Sequence, residues 1–208
     1  VIPNPWDAGS AKMLASLGFE ALATTSAGYA FSRARPDGGL TLDETLLNVQ
    51  AIVAASDLPV AVDLENGFAD SPAECAKSIV RAAQVGAVGG SIEDATGREE
   101  GPIYCFEHAV ARIEAAVAAA RGLPYPFTLT ARAENFLHGN PDLDDTIRRL
   151  QAFAEAGADV LYAPGLRSAE DVLAVVRAVA PKPVNVLMSG GLKLSVEQLS
   201  EMGVKRIS

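Results

Sequence analysis

Two cysteines and two histidines are all the thiol and imidazole ligands among 208 residues. Cys75 and Cys105 form no C-x-x-C or C-x-x-x-H pair, and neither His108, in a helical stretch, nor His138, in a loop, is placed to complete a metal site. That leaves no zinc or thiol-redox pattern and makes an intracellular, cytoplasmic compartment the expectation. Positive charge is also scarce: 17 basic residues against 26 acidic ones give a net charge of −9. A chain this acidic is a poor match for nucleic acid or an anionic membrane, although a small anionic substrate can still be held by a local cation. No apolar run approaches the ~18 residues of a membrane span, and no signal peptide is visible. The chain opens on Val1 without a Met, which suggests a few missing N-terminal residues.

What is present is apolar and periodic. Hydrophobic residues make up 49% of the chain, enough for one domain over residues 1–208 with a sizeable core. One unit recurs without an intervening linker: a short β-rich run, a loop, then an Ala-rich amphipathic helix. The strand signals are "VIP", "EALATTS" (20–26), "PVAVDLE" (59–65), "VGGSIED" (88–94), "FTLTARAE" (127–134), "DVLYAP" (159–164), "PVNVLMS" (183–189) and "KRIS" (205–208). Between them fall helical stretches after Asp7, at 42–56, 72–85, 106–121, 143–156, 169–179 and 196–202, with a long polar loop expected after the second strand. Eight strands alternating with helices predict a closed α/β barrel, the (β/α)8 or TIM barrel. Such barrels typically run to about 250 residues, and this chain stops on its eighth strand, so a C-terminal helix or helices are expected beyond it.

Active sites of these barrels lie at the C-terminal strand ends. There the sequence places Asp63 and Glu65, then Glu93 and Asp94, then Arg132 and Glu134, with Asn185 on a later strand. Asp63 and Glu65 are two apart and share a strand face, and Glu93 on the next strand can reach the same region. Three converging carboxylates need protonation, a basic partner or a hard cation. An all-oxygen donor set suits Mg²⁺ or Mn²⁺ rather than Zn²⁺. Two readings stay open: a cation seat, or acids that cap loops and pair with Arg132. Arg132 can likewise serve a substrate carboxylate or a structural ion pair. "TTSAG" (24–28) reads as a tight turn whose N–H groups can hold an anion, and "SGGL" (189–192) stands where such barrels bind phosphate but reads as a plain glycine turn.

Five stretches in register, "NPWDAGSAKML", "TTSAG", "VDLENGF", "GGSIED" and "TARAENF", resemble the isocitrate lyase and phosphoenolpyruvate mutase superfamily over nearly the whole chain. The resemblance implies that Asp63 and Glu65 hold Mg²⁺, with Glu93 joining largely through water. It implies that Arg132 faces the substrate and that Ser26, Ala27 and Gly28 hold its carboxylate. Trp6 and Asn185 would join the substrate site, and Asp37, in "RPDGG", would be an acid of the loop that follows. Homotetramers, or homodimers, with a swapped C-terminal helix are implied as well. The loop "DATGREEGPIYCFEHA" (94–109) departs from the K-[KR]-C-G-H stretch of the isocitrate-type lyases and from the longer K-T-N loop of the mutase branch. Ala163-Pro164 also stands where the mutase places a histidine.

The expectation is a Mg²⁺-dependent lyase for a small α-keto or related carboxylic acid. Mg²⁺ and Arg132 would stabilise the negative charge of an enolate during retro-aldol cleavage or oxaloacetate-type decarboxylation. The catalytic set would be Arg132, Asp37 and Glu93, with Glu99, Glu100 and Tyr29 as further candidates for the general acid or base. Alternatives are P–C bond chemistry on phosphonopyruvate and a catalytically weak keto-acid-binding barrel.

Overall fold

Strand and helix alternate because the apolar pattern does: short runs that can be buried on both faces are followed by stretches with apolar residues at helical spacing. The computed structural model describes residues 1–188 and 191–208, so Ser189 and Gly190 of the "SGGL" turn lie outside the described residues. In chain order the elements are α1 (Ala8–Ser16), β1 (Leu22–Ala23), α2 (Ser26–Ser32), α3 (Leu42–Val53), β2 (Val60–Asp63), α4 (Pro72–Gln84), β3 (Gly89–Glu93) and α5 (Phe106–Arg121). They continue with β4 (Thr128–Arg132), α6 (Leu143–Glu155), β5 (Val160–Tyr162), α7 (Ala169–Ala178), β6 (Val184–Val186), α8 (Val196–Glu201) and β7 (Arg206–Ile207). Asp7, Thr41, Ser71, Asp142, Ser168 and Ser195 each precede a helix and accept a hydrogen bond from the N–H three residues on. Each such cap contributes about 1 kcal/mol and fixes where the helix starts.

The strands pair in parallel, each with the next, in the order β1 to β7. Eight strands were expected, and seven form ladders. The eighth position is held by the N-terminal segment: Ile2 N–H donates to the Ile207 carbonyl of β7 (2.8 Å), and Ala23 N–H of β1 donates to the Pro3 carbonyl (3.1 Å). Pro3 and Pro5 have no N–H to donate, which limits this segment to a bridge. A second difference concerns "TTSAG". Thr25 accepts from Gly28 N–H (3.2 Å) and caps α2, so a short helix replaces the expected tight turn and part of the polar loop.

Outward-facing Val62, Ile92, Leu129, Leu161 and Val186 pack with Ile79, Ile113, Leu150, Phe153 and Val175 in one core between barrel and helices. Burying each such side chain contributes ~1.5–3 kcal/mol. The alternate residues face the barrel interior. Register pairs Glu93 with Arg132, Arg132 with Tyr162, Tyr162 with Asn185, and Asn185 with Arg206. One polar row therefore crosses five neighbouring strands at their C-terminal ends, with Asp63 reaching it from β2 beside Ser91.

Candidate active site

Asp63 is the most firmly held acid of this row. Its carboxylate accepts from Ser26 N–H (3.1 Å), Glu65 N–H (3.2 Å), Ser91 Oγ–H (3.4 Å) and Arg132 Nη1 (3.1 Å). Its own N–H donates to Thr24 Oγ1 (3.0 Å). The turn after β2 then twists sharply: Glu65, Gly67 and Phe68 have φ of 49°, 74° and 57°. For Glu and Phe this left-handed backbone costs roughly 1–2 kcal/mol each, so the surroundings must hold it. Asn66 Oδ1 accepts from Phe68 N–H (3.0 Å), and Ser78 Oγ–H donates to the Gly67 carbonyl (2.7 Å). From α5, the buried Arg112 donates to the carbonyls of Asn66, Ala69 and Asp70, and its guanidinium lies 4.3 Å from the Tyr104 ring centroid. At Gly67 a Cβ would sit 2.6 Å from Cys75 Sγ, so glycine is required by space as well as by φ.

Arg132, at the end of β4, is the hub. Its Nη1 faces Asp63 (3.1 Å), its Nη2 faces Glu93 (3.2 Å) and its Nε faces Glu134 (2.8 Å). Burial pulls the guanidinium pKa down, but the three carboxylates and Tyr162 carry it well above its ordinary value. Burial pushes Glu93 well above the carboxylate range despite Arg132. Burial, then the charges of Asp63 and Asp37, pushes Glu65 up to about 7 against the pull of Arg132. Four carboxylates (Asp63, Glu65, Glu93 and Glu134) thus surround one guanidinium. Glu65 Oε1 is buried with no hydrogen-bond partner among the described residues.

A cavity of about 250 Å³ opens at this end of the barrel. Of the residues expected at the site, Ser26, Ala27, Asp37, Asp63, Arg132 and Asn185 line it. Glu65 and Glu93 do not border it and sit behind Asp63 and Arg132. Trp6 and Gly28 do not border it either. They pack on each other, so close that a Cβ on Gly28 would fall 2.3 Å from Trp6 Nε1. The Ser26 N–H expected to hold a substrate carboxylate is engaged by Asp63 instead. Of the expected acid or base candidates, Glu99, Glu100 and Tyr29 do not line the cavity. Tyr162, Arg206 and Asn4 are among the lining residues that went unassigned in the sequence. For Arg206 a signal was there, since Ile207 must face the helices and its neighbour must then face inward.

Among the described residues no three acid, His or Cys side chains are gathered as a ready metal cluster. Asp63 and Glu93 are turned to Arg132. The donor chemistry nevertheless fits a hard divalent cation: every candidate atom is a carboxylate oxygen, one of them is orphaned, and positive charge is in deficit.

Known proteins resemble this chain over most of its length. The family model described as phosphoenolpyruvate phosphomutase matches residues 1–208. An oxaloacetate decarboxylase of Paraburkholderia xenovorans is 32% identical over 193 residues, covering 89% of this chain and 62% of that protein. A 2-methylisocitrate lyase of Escherichia coli is 33% identical over 164 residues, 75% of this chain and 54% of its own. Among solved structures, a Burkholderia cenocepacia J2315 protein superposes with a TM-score of 0.96 at 61% identity, covering 100% of this chain and 74% of that one. A 2,3-dimethylmalate lyase superposes at 0.90 with 29% identity, covering 99% and 73%.

Proposed function

The chain belongs to the phosphoenolpyruvate phosphomutase family, and from that premise we propose that it is a Mg²⁺-dependent lyase breaking a C–C bond of a small α-keto or α-hydroxy acid. The observation that carries this reading is the surplus of largely buried carboxylate at the barrel mouth, beside a cavity of about 250 Å³. Ligand pockets for drug-sized molecules run to roughly 300–1,000 Å³, so this one suits an acid of a few carbons.

Asp63, Glu65 and Glu93 are the residues that would hold the cation. Mg²⁺ bound there would offset negative charge developing on the substrate's oxygens. The chain's own groups supply the rest. In decarboxylation the electron pair of the broken C–C bond passes to the keto oxygen as an enolate; in aldol cleavage of a hydroxy acid the hydroxyl becomes the new carbonyl and the pair passes to the carboxylate of the departing fragment. The fixed positive charge of Arg132 favours either shift. Burial raises the Tyr162 phenol above its ordinary range, so it keeps its proton at neutral pH and can donate a hydrogen bond into the cavity. Asp37, exposed on the rim, can accept the hydroxyl proton that aldol cleavage releases. Decarboxylation has no such proton to remove. Asp37→Asn therefore separates the two reactions, since only aldol cleavage would slow.

The test is turnover of oxaloacetate, 2-methylisocitrate and phosphonopyruvate with Mg²⁺ or with chelator, alongside calorimetric binding of each acid. We expect Mg²⁺-dependent turnover of one of the two carboxylic acids, and at least a roughly hundredfold loss in Asp63→Ala with the fold retained by circular dichroism. Mg²⁺-dependent binding without turnover would make the barrel an acid-binding protein. Wild-type binding in Asp63→Ala would refute the metal assignment.

A further inference from the structure

We propose that Arg206 reads a second anionic group of the substrate, so that the cavity selects small acids with a carboxylate at each end. The inference rests on the acid-binding reading above and deepens it.

Two arginines line this cavity, and they differ in what remains free. Each donor group of Arg132 is already turned to a carboxylate: Nη1 to Asp63, Nη2 to Glu93 and Nε to Glu134. Arg206 has no carboxylate partner among the described residues. Its Nε donates to Asn185 Oδ1 at 2.9 Å, and among the described residues neither terminal amino group has a protein acceptor. Asn185 is in turn fixed from its other side, since its Nδ2 donates to Ser208 Oγ at 3.0 Å. Both polar ends of the Asn185 amide are therefore occupied. On this proposal Asn185, itself a lining residue, positions Arg206. Held by Nε, the guanidinium presents its two amino groups as a fork, the geometry that matches a carboxylate.

The location suits a distal group. With the barrel closed through Ile2 and Pro3, β7 stands across the lumen from β2 and β3, which carry Asp63 and Glu93. A small acid whose α-oxygen and first carboxylate lie at the acidic wall would direct its far end toward Arg206. Burial pushes Arg206 down to about 10, with Arg132 acting in the same direction and Tyr162 against it, so it is charged at neutral pH. A half-buried cation with no carboxylate beside it among the described residues is costly, and an arriving anion lowers that cost. A cation on the far carboxylate also opposes its loss as neutral CO2. Aldol-type cleavage, which leaves that carboxylate on a product, fits Arg206 better than decarboxylation.

Malate and 2-hydroxybutyrate test this, because they differ only in a terminal carboxylate against a methyl group. Calorimetry with Mg²⁺ would measure both on wild type, Arg206→Gln and Arg206→Lys, with thermal melts to confirm folding. We expect wild type to prefer malate, Arg206→Gln to lose at least roughly tenfold of that preference through weaker malate binding, and 2-hydroxybutyrate to change by less than about twofold. Arg206→Lys should keep part of the preference. An unchanged preference in Arg206→Gln, or equal weakening of both acids, would overturn the role of Arg206 alone. If neither acid binds wild type, the acid-binding reading itself falls, and this inference with it.

Discussion

Glu93 and Asp94 are chain neighbours at the end of one strand, and each meets a buried arginine, yet the two pairs are built on opposite plans. Asp94 faces outward. It accepts from Glu134 N–H (2.8 Å) and from Arg149 Nη1 (3.0 Å), while Arg149 also reaches Asp145 (2.7 Å) and the Tyr104 carbonyl (2.9 Å). Asp145 has a further donor in Asn135 Nδ2 (2.8 Å). Each acid of that cluster has both a guanidinium and a neutral donor. Among the described residues Glu93, which faces inward, has only Arg132, shared with Asp63 and Glu134, and Glu65 Oε1 beside them has no partner. In the outer cluster every charged group is paired, the neutral Asn135 Oδ1 being a buried atom without a donor among the described residues, and the cluster locks α6 against the barrel. The inner one is short of positive charge. Polar networks left incomplete cost stability, so the difference marks the inner cluster as the place built for something else.

Breaking the two arginines should separate these roles most sharply. Arg149→Met strands Asp94, which is 2% exposed, and should lower unfolding free energy by ~3–5 kcal/mol in urea melts. Activity per folded molecule should stay within about threefold, because no reacting group is touched. Arg132→Gln should cut kcat/KM at least ~100-fold, and Mg²⁺ should restore part of its lost stability by offsetting the carboxylates left behind. Mg²⁺ should stabilise Arg149→Met only as much as it stabilises wild type, leaving its deficit unchanged. If both variants lose activity alike, or Mg²⁺ narrows both deficits relative to wild type, the contrast between the faces is wrong.

The sequence shows this division only halfway. Alternation along a strand sends Glu93 inward and Asp94 outward, and the five-strand polar row follows from the same rule, so the acids and Arg132 could be named from residues alone. Pairing of Arg132 with these acids was one of the open readings, but that it holds Glu93, Asp63 and Glu134 together was not legible, because only the assembled barrel brings those strand ends to it. The left-handed φ of Glu65 was also hidden, since glutamate seldom adopts it and the Arg112 bonds that hold the turn come from a helix 46 positions away along the chain. Helix α2 was missed for a local reason. Two threonines before a serine look like a strand, while Gly28 suggests a turn. Its structural reason lies elsewhere: the Trp6 indole leaves no room for a Cβ.

A middle-sized effect would sharpen the claim that the inner cluster lacks charge. Glu65→Gln keeps the side-chain shape and removes one carboxylate from the deficit. In chelator it should melt higher than wild type, an unusual outcome for a largely buried substitution. Wild type should gain about 2.7 kcal/mol at a Mg²⁺ concentration one hundred times its dissociation constant, and Glu65→Gln should lose most of that gain. The outer cluster offers a control: Asp145→Asn should destabilise the chain equally with and without Mg²⁺. A higher melting point for Glu65→Gln that survives in Mg²⁺ would show that the acid serves no cation.

The smallest effect concerns the wall between the two faces. Trp6 is the only tryptophan and is 46% exposed, and it covers Gly28 outside the cavity. In Gly28→Ala the new Cβ would overlap the indole at 2.3 Å and Thr25 Cγ2 at 2.7 Å. The indole stands at the surface and can swing outward, so the stability cost should stay near ~0.5–1 kcal/mol. Its fluorescence should shift to the red as the ring enters water. Because neither residue borders the cavity, binding of keto acids and of Mg²⁺ should be unchanged. A loss of acid binding that parallels the fluorescence shift would return Trp6 to the substrate site, and would mean that the cavity wall includes side chains beyond the inward row.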